Sequence, residues 1–354
     1  MLLAGASAAL APARGGEQLV PSDANAYPTS GCDRSQVVFN HIPKVAGDSF
    51  ISDLKWANYN LTVGFEPCWR DITCPGAHHV SMVRSPRAHV FSMYLECRFD
   101  GWGEGVTKGT EFPRNGDVEA DFEAWLDHFL NTPTDEHLRA DGAFNCYNPW
   151  NMQTRAMVCS GRSELHHLHS LKGRNPPAKD VAIARVSAAE FVGISELYDE
   201  SWCLLQFQLS GKLPSECTCD VGSPCTLGLT TQEGTRLADC KGHSTQKRHG
   251  VPPHGKASSL GDNVTAKLDR LSRADSELYL VAMTRVVMHL RAVETHTGIK
   301  LICAGRLLQL METTTHIPGA QEMILNSTTL GLGMVSAGEA KEMRLRRALL
   351  YEYR

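Results

Sequence analysis

One short stretch constrains the fold more than any other: an apolar pentad, a turn and an amphipathic run, in that order, across residues 36–57. Gln36-Val-Val-Phe-Asn40 has the composition of a buried parallel strand. His41-Ile-Pro-Lys-Val-Ala-Gly47 interrupts it with proline and glycine. The next ten residues, 48–57, space Phe50, Ile51 and Leu54 as a helix does, with Asp48 available as the N-cap. The order is strand, glycine-bearing turn, helix.

The same order recurs downstream. Residues 61–65 and 79–83 have the pattern of two further strands. Arg84-Ser-Pro-Arg87 turns into a helix over 88–99, with Pro86 suited to a first helical turn. In that helix Val90, Phe91, Tyr94 and Leu95 share one face and Ser92 lies off it. Residues 101–117 read as a Gly-rich loop, 118–130 as a helix, 180–189 as a helix, 190–193 as a strand and 197–209 as a helix. A long loop braced by disulfides is expected over 211–262, and the longest helix over 275–297. Alternating strands and helices predict an α/β domain built on a central parallel β-sheet flanked by helices. The expected division is a disordered lead over 1–34, one domain over 35–305 and a C-terminal extension over 306–354.

Two of these turns have the chemistry of an anion site. A glycine-bearing turn entering a helix offers backbone N–H groups and the positive helix end to an anion. Lys44 adds a point charge and Ser49 a hydroxyl. The turn lacks Gly-x-x-x-x-Gly-Lys-[Ser/Thr], so it is not a nucleotide kinase loop of that kind. Taken alone, it is also readable as an ordinary turn with a solvated lysine. The second element, Arg84-Ser-Pro-Arg with Ser92 eight residues after Arg84, weakens that plain reading. A guanidinium forks onto a phosphate, and a serine two helical turns on can grip the same group.

Together the two elements resemble the cofactor motifs of sulfotransferases that use 3′-phosphoadenosine 5′-phosphosulfate (PAPS). His-Ile-Pro-Lys-Val-Ala-Gly-Asp-Ser-Phe is similar to that family's 5′-phosphosulfate loop, and Val-Arg-Ser-Pro-Arg…Ser-Met-Tyr to its 3′-phosphate strand and helix. The resemblance implies a P-loop-like three-layer fold and a sulfuryl transfer to a hydroxyl, on a carbohydrate acceptor. It implies that Lys44 meets the phosphosulfate bridge and that Val45, Ala46, Gly47, Asp48 and Ser49 line the 5′-phosphate. Arg84 and Ser92 would hold the 3′-phosphate. Asp48 departs from the family, where Thr or Ser is usual, so it is expected to cap the helix and offer only its N–H. Looser likenesses to Golgi carbohydrate sulfotransferases run through Asn151-Met-Gln-Thr-Arg155, Phe191-Val-Gly-Ile-Ser-Glu-Leu-Tyr-Asp-Glu200 and Leu278-Tyr279. Arg248 and Gly250, in Lys247-Arg248-His249-Gly250, match a late basic loop over the cofactor, or else form a solvated charge cluster.

The reaction needs a base near the attacking oxygen. Glu66, 22 residues beyond Lys44, resembles the catalytic Glu of some glycosaminoglycan sulfotransferases; His78 and His79 are its rivals.

The formal net charge of −4 excludes a globally basic nucleic-acid binder. Twelve cysteines and three Asn-x-Ser/Thr sequons, at Asn60, Asn263 and Asn326, favour a disulfide-bonded glycoprotein of the secretory pathway, in the Golgi lumen by resemblance. The cluster Cys217, Cys219, Cys225 and Cys240 with His243, His249 and His254 misses the paired spacing of a zinc site, so disulfides are the preferred reading and no metal is expected. The apolar start, residues 1–11, lacks a basic flank and is too short to span a bilayer. It reads as a weak signal peptide, the remnant of a membrane anchor, or a disordered tail. Two other functions compete: a phosphoryl-transfer kinase sharing the α/β fold, and a non-catalytic sugar-binding protein.

Overall fold

The computed structural model describes residues 36–64, 68–69, 77–131, 144–159, 178–219 and 257–330. Four strands, β1 (Gln36–Asn40), β2 (Asn60–Gly64), β3 (His78–Val83) and β4 (Phe191–Ile194), pair in parallel in the order β2-β1-β3-β4. The apolar residues Val37, Val38 and Phe39 of β1, Val80, Met82 and Val83 of β3, and all four residues of β4 are buried. That is why these strands are apolar throughout rather than alternating. The register aligns the carboxyl ends: Asn40 stands opposite Gly64 and Ser81, and Val83 opposite Ile194.

Helices connect and cover the strands, giving the expected three-layer α/β fold. Helix α1 (Gly47–Trp56) links β1 to β2. Between β3 and β4 lie α2 (Pro86–Phe99), α3 (Gly101–Val106), α4 (Val118–Asn131), α5 (Met152–Val158) and α6 (Lys179–Ala188). After β4 a tight turn, Ser195–Leu197, leads into α7 (Tyr198–Ser210), and α8 (Asp262–Leu271), α9 (Arg273–Thr297), α10 (Ala304–Thr313) and α11 (Ala320–Leu330) follow. Leu307, Leu310, Met311 and Ile324 join the same hydrophobic core as the sheet, and Arg306 on α10 forks onto Glu200 on α7 at 2.9 and 3.2 Å.

Two expectations change. The stretch 101–106 is a helix rather than part of a Gly-rich loop. Asp100 accepts the Trp102 N–H at 2.8 Å, and Gly103 lets α3 lie against the end of α2, where a Cβ would come within 2.2 Å of the Glu96 carbonyl. Helix α1 begins at Gly47, not after an Asp48 cap: Ala46 is the N-cap, with no side chain bonded to the helix end, and Asp48 sits inside the first turn. The reason is a backbone turn into the left-handed region at Ala46, one residue before the chain becomes helical.

Disulfides join Cys68 to Cys159, Cys97 to Cys146, Cys203 to Cys217 and Cys219 to Cys303. Three of them close separations of 91, 49 and 84 residues, each constraining the unfolded chain by about 4–5 kcal/mol. Such bonds belong to an oxidising compartment of the secretory type. Pairing with Cys203 and Cys303 removes Cys217 and Cys219 from any zinc cluster; Cys225, Cys240 and the three histidines of that cluster lie outside the described residues. Among the described residues no group of His, Cys, Asp and Glu could hold a metal, and no helix is long and apolar enough to cross a membrane.

Candidate functional site

In the strand order β2-β1-β3-β4 the chain leaves β1 toward one side of the sheet, while β3 and β4 lie on the other. The carboxyl ends of β1 and β3 therefore flank a topological switch point, the usual place for a ligand on an open parallel sheet. The segment after β1 carries Lys44, and the segment after β3 carries Arg84. They touch: Arg84 Nη1 donates to the Lys44 carbonyl at 3.0 Å.

The first segment is held from three directions. Lys44 and Ala46 both have left-handed backbone, φ 62° and 68°, a conformation that turns backbone N–H groups toward one side. From α2, the buried His89 donates Nε2–H to the Pro43 carbonyl at 2.8 Å. Burial, with Arg84 and Lys44 adding to it, pushes His89 down to about 3, so the ring is neutral. From the turn after β4, the Ser195 hydroxyl lies 2.7 Å from the Val45 carbonyl and 3.2 Å from that of Val83, tying the ends of β1 and β3 together. Gly47 lies against His41: a Cβ here would come within 2.0 Å of that ring, so a larger residue would require the ring to move. Ser49 is buried in the first turn of α1.

Arg84 is fixed through its backbone as well as its guanidinium. The fully buried Gln153 accepts the Arg84 N–H at 2.7 Å and donates to the Arg84 carbonyl at 2.8 Å. Glu196 accepts the neighbouring Ser85 N–H at 2.9 Å and the Tyr279 hydroxyl at 2.8 Å. Burial lowers the Arg84 pKa against the opposing pull of Glu196, and burial raises Glu196 against the pull of Arg84. Gln153 is itself locked. Asp275 on α9 accepts from Thr154 N–H and Oγ1, both at 2.7 Å, and Asn151 Oδ1 accepts the Ala274 N–H at 2.8 Å. Each of α5 and α9 thus caps the start of the other. Desolvation moves Asp275 up to about 6.

Helix α2 runs alongside the loop. Ser92 lies three residues after His89 and four before Glu96, which puts all three on one helical face. Glu96 forms an ion pair with Lys44 at 3.0 Å, with side chains only 6% and 13% exposed. Lys44, Val45, Ala46, Gly47, Ser49, Arg84 and Ser92 are therefore gathered at one edge, and Asp48 follows in the first turn of α1. The second arginine of Arg-Ser-Pro-Arg turns elsewhere: Arg87 forks onto Asp269 of α8 at 2.7 and 2.5 Å, an inter-helix brace.

His78 and His79 are not brought to this edge. They begin β3, where His79 pairs with Val38, and five residues of strand separate His79 from Arg84, about 16 Å. Glu190 lies 3.1 Å from the His78 ring and accepts the His79 N–H at 3.1 Å, and the His79 ring lies 6.1 Å from that of Trp69. Gly64, the last residue of β2, ends beside Asn40 at the carboxyl edge; Glu66, Arg248 and Gly250 lie outside the described residues.

Sequence reasoning did not identify Glu96, nor the bracing roles of Gln153, Ser195 and Glu196. Glu96 had a signal: it is an acid among apolar positions of α2, one turn from Ser92. Gln153, Glu196 and Tyr279 stand in the three looser motifs, and the fold draws all three motifs around Arg84. The chain matches no family model and no curated protein.

Proposed function

We propose that this chain is a PAPS-dependent sulfotransferase that moves a sulfuryl group to a hydroxyl of a carbohydrate in the Golgi lumen. The observation that carries the reading is the contact between the two motif segments, Arg84 on the Lys44 carbonyl, at the switch point of a parallel sheet. Two charges that resemble a 5′- and a 3′-phosphate site belong to one ligand only if they are neighbours, and here they are.

The residues fit an adenosine bisphosphate. No side chain caps α1, whose first N–H groups follow the left-handed turn at Ala46 and suit a 5′-phosphate. The Arg84 guanidinium, desolvated and directed at the loop, suits a 3′-phosphate with Ser92. PAPS supplies an activated sulfuryl group whose sulfur–oxygen bond to phosphate breaks as the acceptor oxygen attacks. Lys44 faces the charge that grows on the departing phosphate, which is electrostatic stabilisation without covalent work. Glu66 follows the carboxyl end of β2 and remains the preferred base for the acceptor proton.

The test is transfer of labelled sulfate from PAPS to a panel of glycans and glycosaminoglycans, with labelled ATP run in parallel. Sulfate incorporation without phosphate incorporation is the expected result. Phosphate transfer from ATP would make the protein a kinase. Sugar binding with neither transfer would make it a binding module.

A further inference from the structure

The ion pair between Lys44 and Glu96 is hard to reconcile with a lysine simply waiting for an anion. A carboxylate this deeply buried costs free energy unless it has a partner, and Lys44 is the cation it touches. Its helix is anchored at both ends of the contact. His89 ties α2 to Pro43 one residue before Lys44, and the disulfide Cys97–Cys146 follows Glu96 directly. Lys44 has left-handed backbone and its carbonyl accepts from Arg84, so its main chain is fixed while its side chain lies along α2.

We propose that Glu96 is a positioning residue that holds the Lys44 ammonium in the ligand-free protein and gives it up when an anion binds. The inference rests on the reading of this edge as a phosphosulfate site and deepens it. With Glu96 charged, an incoming phosphate competes for Lys44 and is also repelled by the carboxylate behind it. In a site screened as weakly as a half-buried one, two like charges some 6–7 Å apart weaken binding by roughly tenfold or more. The arrangement keeps an unfilled site neutral and makes the transfer of Lys44 from carboxylate to ligand part of binding.

Glu96→Gln preserves shape and removes the charge. Calorimetric titration with 3′-phosphoadenosine 5′-phosphate (PAP) is expected to show binding at least tenfold tighter than in the unchanged protein. A merely structural Glu96 predicts equal or weaker binding, and either result overturns the proposal. If Glu96→Gln does not fold, the unchanged protein crystallised with PAP decides the matter. The Lys44 Nζ is expected within hydrogen-bond distance of a ligand phosphate and more than 4 Å from Glu96. A lysine still paired with Glu96 in that complex overturns the proposal. An unchanged protein that binds no PAP at all overturns the cofactor reading, and this inference with it.

Discussion

The two edges of the sheet are built from the same strands and treat charge in opposite ways. At the amino edge, the His78 ring and Glu190 meet at 3.1 Å with side chains 37% and 55% exposed, an exposed polar contact of the sort worth about 0–1 kcal/mol. At the carboxyl edge, Lys44, Glu96, Arg84 and Glu196 are withdrawn from water, and each is held by bonds from a different element. Buried charge is expensive, and a fold keeps it where its field is needed. The contrast agrees with the motifs in favouring the carboxyl edge as the candidate site.

The largest effect that tests the contrast is on turnover. Lys44→Ala should lower kcat for sulfate transfer from PAPS by at least ~10²-fold, the cost of losing a preorganised transition-state donor. Near-normal turnover would remove Lys44 from the chemistry.

Next is Gln153→Ala, which strips both backbone partners from Arg84 without touching its guanidinium. Unpaired buried amide groups cost about 1–3 kcal/mol, so denaturant titration should show a loss of that size, with PAP affinity falling about tenfold. A loss of stability with unchanged affinity would mean that Arg84 needs no bracing.

A smaller effect depends on pH. The folded chain holds His89 near 3, whereas an unfolded histidine takes up a proton near 6.5. Between those values the unfolded state binds more protons, so His89 contributes stability that is full above pH 6.5 and is lost as pH falls. Asp275, raised to about 6, acts in the opposite direction and gains stability over a similar range. His89→Gln keeps a donor for Pro43 and removes the titration. Urea melts from pH 7 to 4 should show the variant gaining on the unchanged protein as pH falls; a constant difference would contradict the assignment.

The smallest effect belongs to the amino edge. His78→Ala should change stability by no more than ~0.5 kcal/mol and leave PAP affinity unaltered, as calorimetry can check. A large loss of turnover in that variant would reinstate the histidines as catalytic.

The sequence made the strand–turn–helix units legible because buried parallel strands are short apolar runs and Pro and Gly mark their ends. It also made Lys44, Arg84 and Ser92 legible, since each belongs to a local motif. Glu96 was not legible as a partner of Lys44, because 52 residues of chain separate them and only the crossing of α2 over the loop brings them together. The bond from Gln153 to Arg84 spans 69 residues and was hidden for the same reason. Asp48 misled through its type: a good capping residue lies two places beyond the cap position, Ala46. His79 misled through proximity in sequence, being five residues from Arg84 but at the opposite end of the strand that leads into the site.

On the proposed function, the carboxyl edge recognises a nucleotide by two phosphates at once. Calorimetric titration of the unchanged protein and of Arg84→Ala with PAP and with AMP, which lacks the 3′-phosphate, tests it most directly. The unchanged protein is expected to prefer PAP by about 2–3 kcal/mol, the scale of a charge-assisted bond, and Arg84→Ala to abolish the preference while leaving AMP binding nearly unaltered. Equal affinity for PAP and AMP in the unchanged protein, or a preference that survives the loss of Arg84, would contradict it.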